Sequence, residues 1–121
     1  MNRLFAAAGL GAALIASTAV AAPPSPLEKA FGNTIVSTYP DGRKGELYLE
    51  AGGGYTAKGR RGDPSSGHWK VKGAKLCLSQ SRPIPSPFSF CTPIPRTMTT
   101  TWSAKAVTGE RIRVHLEHGH Q

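Results

Sequence analysis

Residues 111–117 read RIRVHLE. Ile112, Val114 and Leu116 alternate with Arg111, Arg113, His115 and Glu117. A period of two puts the apolar side chains on one face of an extended strand and the charged ones on the other. One face is therefore packed and the other is wet. Further up the chain, HWKVK (residues 68–72) repeats the pattern, with Trp69 and Val71 between His68, Lys70 and Lys72. The remaining runs are short and separated by turn residues: TIVSTY into PDGR, ELYLE into AGGG, YTAKG into RRGDPSSG, then LCLSQ, FSFCT and TTTWSAKAV. Strands of this length between glycine- and proline-rich turns predict a mainly β domain, an antiparallel meander that forms a small barrel or a sandwich. Before the first strand, SPLEKAFGN (residues 25–33) carries a capping Ser25, Pro26 at the first helical position and Glu28 three residues after the cap. Those residues predict a short N-terminal helix that ends in a left-handed residue at Gly32 or Asn33.

The chain opens MNRLFAAAGLGAALIASTAVAAPPSP, with Arg3 ahead of an apolar run from Leu4 to Ala16 and small residues after it. That is the layout of a secretory leader. The run is 13 residues long, short of the roughly 20 that a membrane-spanning helix needs. Cleavage after Ala21 keeps Pro23 off the scissile bond, so residues 1–21 read as a signal peptide and residues 22–121 as one domain with no permanent membrane anchor. The whole chain has 15 basic and 7 acidic residues, a net +8. Only Arg3 leaves with the leader, so 14 basic against 7 acidic residues give the mature 100-residue domain +7. A periplasmic or secreted, monomeric, cationic protein is the expectation.

Cys77 and Cys91 are the only cysteines, set around Pro83, Pro85 and Pro87. The prolines supply no N–H to a ladder and mark a loop between two strands. An internal disulfide would close 15 residues and stabilise the fold by about 3 kcal/mol on chain-entropy grounds. A metal-binding pair and an intermolecular bridge are the alternatives, and the spacing offers neither a Cys-x-x-Cys signature nor other local support. An oxidising compartment favours the internal bond.

FGNTIVSTYPDGRKGELYLEAGGGYTAKGR (31–60), SSGHWKVKGAKLCL (65–78) and SFCTPIP (89–95) together resemble a group of small exported bacterial proteins of unknown function. The shared features are a GNT start, a tyrosine followed by a DG turn, a G-x-W strand start, an LC strand and a second cysteine. The resemblance implies a lipocalin-like or small-barrel fold and a disulfide between Cys77 and Cys91, and it implies no activity. The proline-rich 82–95 segment departs from the group's pattern.

Catalytic chemistry has no constellation in this sequence, and the chain reads as non-catalytic, with no cofactor implied. Asp41 and Asp63 stand in turns, where an aspartate bonds local backbone. Glu46 and Glu50 are four residues apart on one strand, roughly 13 Å, too far for a glycosidase pair. No G-x-S-x-G elbow occurs. His115, His118 and His120 offer soft-metal donors, but His118 and His120 lie in a tail expected to fray, and no metal site is assigned. The RGD at residues 61–63 is accounted for by turn chemistry, and Trp69 and Trp102 by core packing.

Two functions remain. One is a non-catalytic barrel that binds a ligand or a protein partner of the cell envelope through its mouth or its proline-rich loop. The other is a cationic surface for an anionic envelope polymer or nucleic acid, carried by Lys58, Arg60, Arg61, Lys70, Lys72 and Lys75. A cavity would favour the first, and salt-sensitive binding the second.

Overall fold

The computed structural model of the protein describes residues 25–120. The leader assigned to residues 1–21 and the start at Ala22 lie outside the described residues. A 3-10 helix at Pro26–Ala30 comes first, capped by Ser25, whose Oγ accepts from the Leu27 N–H at 3.1 Å. The helix expected there is thus present in its tighter form. Gly32 takes the left-handed conformation that follows it, with φ of 79°.

Eight strands follow: β1 (Thr34–Thr38), β2 (Lys44–Leu49), β3 (Gly54–Lys58), β4 (Pro64–Lys72), β5 (Lys75–Arg82), β6 (Phe90–Pro93), β7 (Trp102–Lys105) and β8 (Arg111–Glu117). They form one antiparallel sheet in the order β6-β5-β4-β3-β2-β1-β8-β7. β1 to β6 are a meander, and the β7–β8 hairpin returns to pair with the free side of β1. The edge strands β6 and β7 then come close to each other without a ladder, so the sheet curls into a near-barrel with one open seam. Of the two expected architectures, the barrel is the one formed.

β4 begins at Pro64, inside the stretch PSSG that reads as turn in the sequence. A proline is tolerated as the first residue of a strand, and Ser65, Ser66 and Gly67 pair with β3. The register between β4 and β5 shifts at Ser66/Gly67. At Gly67 a Cβ would collide with the Ser79 carbonyl oxygen of β5, so the bulge requires glycine.

The turns explain why the strands stay in register. In residues 39–43, 50–54, 59–63 and 106–110 the first N–H bonds the fifth carbonyl and the fourth N–H bonds the first carbonyl. The fourth residue is glycine each time, with φ between 86° and 106°. This is the hairpin turn that ends in a left-handed residue and a bulge, repeated on four different sequences.

Ile35, Leu49, Tyr55, Leu76, Ile112 and Val114 face the interior and pack with Leu27 and Ala30 of the 3-10 helix and with Met98 of the β6–β7 connection. Helix and connection lie at the end of the barrel where β1 starts and β8 finishes, and they close it. Cys77 and Cys91 are directly opposite each other in the β5–β6 register and form a disulfide. It sits on the outer face of the sheet, across from Lys70.

Candidate functional site

The interior positions of the strands are unequal in size. Near the closed end they are large: Ile35, Leu49, Tyr55 and Leu76. Toward the other end they are Ser37, Gly45, Ala57, Ser65 and Ala104, too small to fill the space between the strands. The result is a cavity of about 280 Å³. Leu27 and Met98 form its floor, Leu47, Leu78, Phe90 and Trp102 its walls, and the β6–β7 seam runs along one side. Ser37, Tyr39 and Ser65 bring hydroxyl groups to the open half, so polarity rises from floor to mouth. Burial raises the Tyr55 phenol above its usual pKa, consistent with a dry inner wall beside the floor.

Arg60 stands at the rim. Its guanidinium meets Glu110 at 2.9 Å and Asp41 at 3.7 Å and lies 4.4 Å from the Tyr39 ring centroid. One side chain thereby links the turns at residues 39–43, 59–63 and 106–110. Asp41 also accepts from the Arg43 N–H at 3.0 Å, the local turn bond expected of it.

The six cations singled out in the sequence do not fall in one place. Lys58, Arg60 and Arg61 lie at the mouth end, at or near the β3–β4 turn. Lys70, Lys72 and Lys75 lie on the outer face of the β4–β5 hairpin at the opposite end, with Lys72 and Lys75 paired across its tip. Pro64 and Lys72 stand eight positions apart along β4, roughly 26 Å of strand. Arg60 is engaged in its ion pairs, and Lys58 is opposite Glu46 in the register.

A further set escaped the sequence reading as a group. Lys105 is opposite Arg111, Arg113 is opposite Thr38, and Thr38 is opposite Lys44, which gathers four exposed cations on the outer face of β7, β8, β1 and β2 near the mouth. Arg111 and Arg113 are visibly outward in RIRVHLE, but only the pairing of β8 with β1 brings Lys44 beside them.

The C-terminal tail is not frayed. The Gly119 N–H donates to Asn33 Oδ1 at 2.9 Å, Thr34 Oγ1 donates to the Gly119 carbonyl at 2.6 Å, and the His120 ring stacks on Tyr48 at 4.1 Å. The expected fraying is overturned because residues 118–120 fold back over the outer face of β1 and β2, where these groups meet them. Tyr48 donates to Glu46 Oε1 at 2.7 Å, and this bond, with burial, raises its pKa. His115 instead faces Glu117 at 2.8 Å. Among the described residues no three His, Cys, Asp or Glu side chains gather as a metal-binding group.

Trp69 donates Nε1–H to the Glu50 carbonyl at 2.8 Å and stacks near Phe31. Trp102, on the edge strand β7, forms cavity wall. Among the described residues no helix is long and apolar enough to cross a membrane. No family model matches this chain, and neither curated proteins nor solved structures yield a match to it.

Proposed function

We propose that the barrel is a non-catalytic carrier for one small amphiphile, the tail lying against Leu27 and Met98 and the polar end at Ser37, Ser65 and Tyr39. The observation that carries this reading is the cavity of about 280 Å³, apolar at its floor and hydroxyl-lined toward its mouth. Its size is near the lower bound of about 300 Å³ for small-molecule pockets, and barrels of eight strands hold single ligands of this kind. A short acyl chain or a single fused-ring molecule fits. The lipocalin-like character of the resemblance to small exported bacterial proteins points the same way, and export to the cell envelope is part of the proposal.

The test uses N-phenyl-1-naphthylamine, whose fluorescence rises in apolar surroundings. Wild-type protein is expected to bind it with saturable, roughly one-to-one stoichiometry and to quench Trp102. Ala57→Phe, which projects a ring into the open half of the cavity, is expected to abolish uptake with a native circular dichroism spectrum. A second variant, Ala104→Leu, guards against a folding failure in the first. Uptake by both folded variants equal to that of wild type would place the probe outside the barrel and overturn the reading.

A further inference from the structure

The geometry points to the mouth end of the barrel as a docking face for an anionic lipid bilayer. Three large apolar side chains are exposed there: Ile84 at 71%, Phe88 at 80% and Val107 at 76%. Ile84 and Phe88 sit in the β5–β6 loop and Val107 in the β7–β8 turn, so they flank the open seam between β6 and β7 from both sides. The loop is held out. Ser86 N–H bonds the Gln80 carbonyl at 3.0 Å, Gln80 Nε2 bonds the Ile84 carbonyl at 2.9 Å, and Ser79 and Ser89 hydroxyls meet at 2.9 Å. With Pro83, Pro85 and Pro87 fixing the backbone between these bonds, Ile84 and Phe88 are presented rather than left loose.

Immediately behind the apolar tips lie cations. Arg82 ends β5 below Ile84, and Lys105 and Arg111 flank the turn that carries Val107. Lys105 and Arg111 are directly opposite in the register, an arrangement of like charges that disfavours the hairpin unless an anion lies between them. Neither has an ion-pair partner among the described residues, and the nearby Glu110 is taken by Arg60. Apolar tips at Ile84 and Val107, with Arg82 and Lys105 two residues behind them, match the order of a membrane surface, acyl chains beyond phosphates. The tips stand on separate segments across an opening and form no continuous apolar patch. A bilayer meets them separately and places its acyl chains at the cavity mouth. The inference extends the carrier reading without resting on it, because docking and uptake are measured separately.

The experiment is flotation with vesicles of equal parts phosphatidylglycerol and phosphatidylcholine, against vesicles of phosphatidylcholine alone. Wild-type protein is expected to float with the first and not the second, and the bound fraction to fall as salt rises. Ile84→Ser with Phe88→Ser, and separately Lys105→Glu with Arg111→Glu, are each expected to weaken binding about tenfold with unchanged denaturant midpoints. Lys70→Glu with Lys72→Glu, at the closed end, is expected to float as wild type does. Three results would overturn the inference: no flotation with anionic vesicles, flotation lost in the closed-end variant and kept in both mouth variants, or retention on heparin without flotation. The last assigns the cations to a soluble polyanion.

Discussion

Tyr48 is buried on the outside of the barrel, an unusual place for a covered aromatic ring. The tail covers it: His120 stacks on the ring, and Glu46 accepts its hydroxyl. A phenol that donates to a carboxylate loses that bond and gains a like charge on ionising, so the pKa rises in the folded state, with burial adding to the effect. In the unfolded chain the phenol ionises at about 10. The folded state then holds its proton longer than the unfolded one, so this contribution to stability is whole below about pH 10 and is lost as pH rises toward the higher folded value. Tyr48→Phe is expected to cost about 1 kcal/mol at neutral pH through the lost hydrogen bond. It is also expected to lose less stability than wild type between about pH 8 and pH 11. Urea midpoints at the two pH values measure both. An alkaline loss as large as that of wild type would mean that other groups govern it, among them Tyr55, whose pKa burial also raises.

Strand β6 is, with β7, one of the two short edge strands of the sheet. It has four residues, pairs only with β5, and follows a loop whose prolines extend no ladder. The disulfide joins its second residue to β5 at directly opposed positions. Fixing β6 there also fixes Phe90 and Thr92, which form cavity wall on the other face. Cys77→Ala with Cys91→Ala is expected to lower stability by about 2–4 kcal/mol. Amide hydrogen exchange is expected to accelerate in β6 more than in β1 or β2, since an unstapled edge opens by local unfolding. Equal denaturant midpoints for the two forms, or exchange that quickens uniformly, would show that the proline loop and not the bond holds the edge.

At the scale of the molecule the barrel has a closed end, an open end and a seam, and Arg60 acts on the open end. It links three turns that no ladder joins and lies over Tyr39. Partly exposed ion pairs contribute little singly, but with the ring contact the loss on Arg60→Met is expected to be about 1–2 kcal/mol. The difference between wild type and variant in thermal or urea unfolding is expected to narrow at high salt, because the pairs are screened. A variant as stable as wild type at low salt would leave the turns independent of one another.

The strands, their inward and outward faces and most of the turns were legible in the sequence, because each rests on neighbours within about ten residues. RIRVHLE is a strand from end to end, and the glycines of PDGR, AGGG and RRGD stand at the left-handed turn positions that those sequences announce. The cysteine pairing was legible too, since two cysteines leave one internal connectivity. What the sequence could not contain was register across the sheet. Only the pairing of β8 with β1 sets Arg111 and Arg113 near Lys44, and only the length of β4 parts Lys58 from Lys72 in a segment that reads as a single run of charge. Gly67 looks like a turn residue until the Ser79 carbonyl stands against it. The cavity has the same origin: Ser37, Gly45, Ala57 and Ala104 are unremarkable apart, and become a hollow only when four strands turn small side chains into one interior. Alternation along a strand is a local property of the chain, whereas the volume enclosed between strands depends on which residues the tertiary fold sets opposite each other.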